Sequence, residues 1–184
     1  MGLEQLKRNN YFYGRLLTAD DVAVEQQYYL EKHRRHNRYL HGWGIVSGLE
    51  FSLLTDDSDA ILISPGFAID CFGNEILVSK PVQLRVPRFD GISYLSIRYV
   101  EQQTDPVPLP GAEGNLQYTH TEEGFEITFE KEDSLVQHGP EGARYVSCGR
   151  PHPIPLGQLK DIGGRLTINR RFRPPRVKRE HSAA

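Results

Sequence analysis

EKHRRHNRYLHGWGIVSGLEF, Glu31 to Phe51, is where the chain changes character. Before it, apolar residues recur at helical spacing; after it, they come in short β-type runs. Upstream, Val22, Gln26, Tyr29, His33, His36 and Leu40 follow at alternating steps of four and three, which places them on one face of a helix from Thr18 to about Leu40. Thr18 suits an N-cap, with Asp20 and Asp21 in the first turn and Arg34, Arg35 and Arg38 in the last turns, where the helix dipole favours each sign of charge. Gly42 can supply the left-handed residue that ends the helix. The face is only half apolar: Ala23, Leu30 and Tyr39 widen it, while Glu25, Glu31 and Arg38 are expected in water.

Downstream of Trp43, turn residues separate the runs Ile45–Leu54, Ala60–Ser64, Phe67–Asp70, Ile76–Ser79, Val82–Val86 and Ser93–Glu101. TDPVPLPGAEGN then reads as a Pro/Gly-rich loop. Gly124–Glu130 alternates cleanly, with Phe125, Ile127 and Phe129 on one face, and Ile154–Leu159 and Arg165–Asn169 flank an Ile162-Gly163-Gly164 turn. Regularly spaced short strands after one helix predict an α+β chain: one N-terminal helix followed by an antiparallel β sandwich or barrel, with extended N- and C-terminal arms. The organisation expected is an N-terminal arm over 1–17, the helix over 18–41, a β domain over 42–169 and a basic tail over 170–184. Gly48 inside a strand signals a bulge or a close backbone approach.

The histidines of the opening stretch invite a metal reading. His33 and His36 are one helical turn apart and His41 follows the helix, yet the HExxH pattern is absent and no Glu or Asp lies between Lys32 and Leu49. A structural joint accounts for the same residues: His33, His36 and His41 pack where helix meets sheet, Gly42 and Gly44 turn the chain, and Trp43 caps the core. A metal-binding enzyme or module on the three histidines is the alternative, and no metal or other cofactor is expected.

Basic stretches KHRRHNR and RRFRPPRVKR raise nucleic acid as a second alternative. The 184 residues carry a net charge of −2 and a pI near 6.4, so nothing draws the whole chain to a polyanion, and an acidic set from Glu122 to Asp133 fits protein assembly better. Ser47 lacks the GxSxG elbow, and neither HGWG nor IGG has the spacing of a phosphate-binding loop. Asp56, Asp57 and Asp59 sit in a hairpin turn whose chemistry explains them. No catalytic residue is therefore assigned. No stretch approaches the roughly 20 apolar residues of a spanning helix, and MGLEQLKRNNYFYG has no secretory core, so cytoplasmic synthesis and no membrane are expected. Cys71 and Cys148 are too few for a disulfide framework, though a single bridge between them stays open.

The long stretches YFYGRLLTADDVAVEQQYYLEKHRRHNRYLHGWGIVSGLEF (Tyr11–Phe51), ISPGFAIDCFGNEILV (Ile63–Val78) and YLSIRYVEQQTDPVPLPG (Tyr94–Gly111) resemble a bacterial family associated with contractile injection systems and phage-tail-like particles. The middle stretch also resembles segments of baseplate and tail-fibre attachment proteins. The resemblance implies no catalysis. It implies a structural subunit, a homo-oligomer within a symmetric assembly, that docks other baseplate or fibre proteins and is built into a virion-like or injection particle. The interaction residues expected are Arg34, Arg35 and Arg38 on the helix and Arg170, Arg171, Arg173 and Arg176 in the tail, which is expected to order when an acidic partner surface holds it.

Overall fold

In a computed structural model, residues 6–54, 59–109, 111, 114–131 and 151–177 are described. Helix α1 spans Ala19–His36, capped by Thr18, whose hydroxyl accepts from Asp21 N while the Asp21 carboxylate accepts from Thr18 N at 3.0 Å. This reciprocal capping box is the start that Thr18 and its aspartates predict. The helical run then widens into a π turn, Asn37–His41, closed by Gly42 N donating to Asn37 O at 3.0 Å, with Gly42 at φ 76°.

Among the described residues ten strands follow, arranged in three antiparallel sheets around one core. The first sheet runs β1 (Gly44–Gly48), β4 (Gly66–Ile69), β5 (Glu75–Val78); the second β2 (Phe51–Leu53), β3 (Ala60–Ile63), β6 (Val82–Arg85). The third has the order β10 (Arg165–Ile168), β9 (Ile154–Ile162), β7 (Ile92–Pro108), β8 (Leu116–Glu130). The fold is thus α+β, one N-terminal helix leading into antiparallel sheets. Ile61, Ile63, Ile76, Leu95, Ile97, Ile154 and Leu159 are fully buried where the sheets meet.

The single run expected from Ile45 to Leu54 is two strands in different sheets. Gly48 (φ 60°) and Leu49 (φ 57°) turn the chain between them, and β4 follows β3 across the same corner at Pro65–Gly66. A Cβ at Gly48 would collide with the Pro65 carbonyl, so the close approach that a glycine inside a strand signals is present.

Two further departures matter for function. The stretch read as a loop after Glu101 is strand through Pro108, because β7 and β8 pair in register from Tyr94–Glu130 out to Pro108–Leu116. Strand β9 pairs with β7 only from Ile92 to Ile97, so beyond that point β7 has no second neighbour among the described residues, and a proline whose nitrogen faces that edge forgoes no ladder bond. The second departure is the tail. Ile45 N donates to Pro175 O (2.9 Å) and Val177 N to Ile45 O (3.1 Å), so β1 itself orders the segment as far as Val177. Cys71 carries a thiol, and Cys148 lies outside the described residues. Among the described residues no helix is long and apolar enough to cross a membrane.

Candidate interaction surfaces

Helix α1 meets the β body at its C-terminal end, through polar contacts with the β4–β5 turn, Asp70–Asn74. Asn37, the buried residue of the π turn, donates from Nδ2 to Gly73 O at 3.0 Å and to Glu75 Oε1 at 3.2 Å. Gly73 (φ 86°) lies so close to the Arg34 carbonyl that a Cβ there would overlap it. Inside the turn Asp70, 1% exposed, accepts from Phe72 N (2.8 Å), Asn74 N (2.9 Å) and Asn74 Nδ2 (2.7 Å). Burial pushes its carboxyl up, opposed by these donors and by the Arg34 charge.

Two side-chain contacts with carboxylates brace the joint. His33 Nε2 lies 2.7 Å from Glu75 Oε1, and this bond, with that of Asn37, holds the Glu75 carboxyl below its ordinary range. Arg34 Nη2 lies 2.9 Å from Glu101 Oε1 on β7, to which Tyr99 also donates at 2.8 Å. Burial, then that acceptor, raises the Tyr99 phenol. Sequence reasoning placed Arg34 among partner-binding residues; here its guanidinium ties the helix to β7. Arg38 lies 2.8 Å from Glu31, whereas Arg35 forms no ion pair among the described residues. Asn37, Gly73 and Asp70 were missed as site residues; the one local sign was the Asp-Cys-Phe-Gly-Asn turn chemistry.

The three histidines divide. His33 is taken by Glu75, while His36 and His41 sit edge to face with centroids 5.3 Å apart. Among the described residues no three His, Cys, Asp or Glu side chains gather where they could hold a metal. Trp43 packs half-buried against the core, and Gly44 (φ 124°) lets Pro175 approach, since a Cβ there would stand 2.8 Å from the Pro175 oxygen.

The rest of the helix projects from this joint. No residue of α1 is buried. Its N-terminal end is wrapped by residues 9–17: Asn9 and Arg15 both hold Asp21, Tyr11 donates to Glu25, and Arg15 also donates to Asn10 O at 2.6 Å. The Thr18 contacts lower the Asp21 carboxyl, and Glu25 raises the Tyr11 phenol. These polar ties leave the apolar side chains outward: Phe12 is 67% exposed, Leu16 83% and Leu40 64%, with Tyr13, Leu17, Val22 and Tyr29 exposed beside them. Large apolar side chains left in water in this number are what contact surfaces have in common.

Two more surfaces leave the body. Beyond Ile97 the β7–β8 hairpin has no β9 beside it, and past the Arg34–Glu101 tie it runs on to Pro108, roughly 20 Å further. Val107, Leu116 and Tyr118 are exposed near its tip. On the tail, Arg170, Arg171, Arg173 and Arg176 are exposed and form no ion pair among the described residues.

No protein-family model matches the chain, and no curated protein matches it. Among solved structures it is similar to a chain of "The baseplate complex from the type VI secretion system" (TM-score 0.52, 13% identity, covering 93% of this chain and 60% of that one). It is also similar to the chain of "Crystal structure of TssK" (TM-score 0.58, 12% identity, 94% and 43% covered). A third similarity is to the TssK-TssF-TssG baseplate subcomplex of the type VI secretion system solved by cryo-electron microscopy (TM-score 0.53, 12% identity, 92% and 62% covered). At these identities the likeness is one of fold, and the chain spans less than two thirds of each of those chains.

Proposed function

We propose that the chain is a non-enzymatic structural subunit of a contractile injection particle, a baseplate or fibre-attachment component that docks neighbouring particle proteins. Three lines support this reading: the resemblance of Tyr11–Phe51, Ile63–Val78 and Tyr94–Gly111 to a family of such particles, the fold held in common with type VI secretion baseplate structures, and the exposed surfaces themselves. The observation that carries it is that helix α1 touches the β body only at its C-terminal end and has no buried residue of its own, while Phe12, Tyr13, Leu16, Val22 and Tyr29 are turned outward. In proteins most of a helix's stability comes from packing of its apolar face. Partner subunits, copies of this chain among them, supply that packing in an assembled particle.

On this reading the arm (1–17) and helix (18–41) form the main docking element, with Arg35 at its edge, the β domain (42–169) is the rigid platform, and the tail (170–184) is a secondary contact. The test is a Phe12→Ala/Tyr13→Ala/Leu16→Ala variant, followed by its recovery in particles purified from the producing cells. Loss of the variant from particles, with an unchanged unfolding transition, is the expected result. Recovery equal to the parent chain overturns the reading.

A further inference from the structure

We propose that an arginine strip on the C-terminal segment of one copy docks, head to tail, on a ladder of glutamates along β8 of a second copy. This rests on the reading of the chain as an assembly subunit and assigns a partner to two of its surfaces.

The strip is formed by Arg171, Arg173 and Arg176. Its backbone is already ordered in its own chain by the two hydrogen bonds to Ile45 and by Phe172, which sits edge to face on Tyr94 with centroids 5.6 Å apart. Pro174 and Pro175 stiffen the stretch between Arg173 and Arg176. Binding through these side chains therefore avoids the ordering penalty of a disordered tail. None of the three is in an ion pair among the described residues; the Arg173 guanidinium reaches only the carbonyl oxygens of Arg170 (2.8 Å) and Phe172 (3.2 Å). The positive charge is exposed and uncompensated.

The ladder follows from register. Glu122, Glu126 and Glu130 stand opposite Gln102, Arg98 and Tyr94 in an unbroken one-to-one pairing, so all three lie on one face of β8, about 13 Å apart. Glu126 is held by Arg98, but Glu122 and Glu130 have no ion pair among the described residues. Among the described residues strand β8 is the outer strand of its sheet, and Leu116–Glu130 contains no Lys, Arg or Pro. Its glutamates repel a second β8, which disfavours symmetric strand-to-strand pairing and favours a basic partner. Within one copy strip and ladder form no ion pair, so the three arginines and the carboxylates of Glu122 and Glu130 are left for a neighbour. One surface on each partner makes a heterologous contact, which closes into a ring when the rotation allows.

The experiment compares the full chain with two charge-reversed variants, Glu122→Arg/Glu130→Arg and Arg171→Glu/Arg173→Glu, by sedimentation velocity across a salt series, with circular dichroism to confirm folding. The parent chain is expected to self-associate and to weaken as salt screens the contact. Each variant alone is expected to associate about tenfold more weakly or worse, and an equimolar mixture of the two to regain association. A parent chain that stays monomeric at every salt concentration overturns the proposal, as do two folded variants that associate like the parent or a mixture that regains nothing. Loss with the arginine variant alone also overturns it, and directs the strip to a different acidic surface of the second copy. Particle recovery of the Phe12/Tyr13/Leu16 variant is a separate readout, so failure of this contact and failure of the subunit reading are distinguishable.

Discussion

The β body and the helix that leads into it treat apolar residues in opposite ways. In the body Ile61, Ile63, Ile76, Leu95 and Ile97 reach 0% exposure, whereas in α1 and the arm before it the large apolar side chains face water and the only buried residue of the joint's helical side is a polar one, Asn37. Burial, and with it stability, is therefore concentrated in the sheets, and on the proposed function recognition falls to the projections. The joint between them is built from hydrogen bonds and ion pairs, which fix direction more than they add stability.

The largest effect expected from this contrast comes from paired truncations. Ile97→Ala should cost about 2–5 kcal/mol, since it removes buried methyl groups and leaves a cavity. Leu16→Ala, at an 83% exposed position, should stay within about 0.5 kcal/mol. Urea denaturation of both variants decides it, and comparable losses would mean that the arm is part of the core.

Next comes the tail. A chain ending at Asn169 loses the Phe172–Tyr94 contact and both backbone bonds to Ile45, and should be destabilised by about 2–4 kcal/mol. Truncation is for that reason a poor probe of docking, and charge reversal at Arg171 and Arg173 a better one. An unchanged unfolding midpoint would return the tail to the status of a free arm.

A smaller difference separates two glycines of similar backbone. Gly73 (φ 86°) abuts the Arg34 carbonyl, while Gly91 (φ 81°) has open space where a Cβ would go. Both alanine variants bear the left-handed penalty of roughly 1–2 kcal/mol. Gly73→Ala should cost more and should also make α1 more sensitive to protease, because the helix end has to move. Equal losses in the two variants would show that the turn does not seat the helix.

What could be read beforehand follows the range of the interaction. The Thr18 capping box, the Gly42 stop, the Gly48 close approach and the strand-separating turns depend on residues a few positions apart, and each leaves a local signal. Asn37 with Gly73, Arg34 with Glu101, and Ile45 with Pro175 depend on partners that only the fold brings together, so the arginines of α1 looked alike from the sequence. The hairpin beyond Glu101 was obscured for another reason: Pro106 and Pro108 are loop signals on average, yet an unpaired strand edge accommodates them. The half-apolar face of α1 was legible as a pattern, but its alternation of tyrosine, valine and histidine cannot say whether a sheet or a second subunit covers it.

The subtlest expectation is a pH dependence of two signs at the joint. Glu75, held low by His33 and Asn37, contributes stability that is present above its unfolded value near 4.5 and lost as pH falls through its folded value. Asp70, raised by burial, acts the other way: burial disfavours its charged form more than its donors favour it, so the stability tied to it is full below 3.8 and declines as pH rises through the folded value. Asp70→Asn should remove that decline and leave only the acid loss due to Glu75, with little change at neutral pH beyond about 1 kcal/mol. The fold can accept the amide, because Asn74 Oδ1 is buried without a hydrogen-bond partner and, once the Asn74 amide turns over, receives the new donor. Glu75→Gln should leave the opposite profile, a decline with rising pH alone. Denaturation midpoints of the two variants from acid to neutral pH should thus diverge in slope. Parallel profiles would mean that burial of Asp70 and the His33 pairing of Glu75 do not govern how firmly the helix is seated.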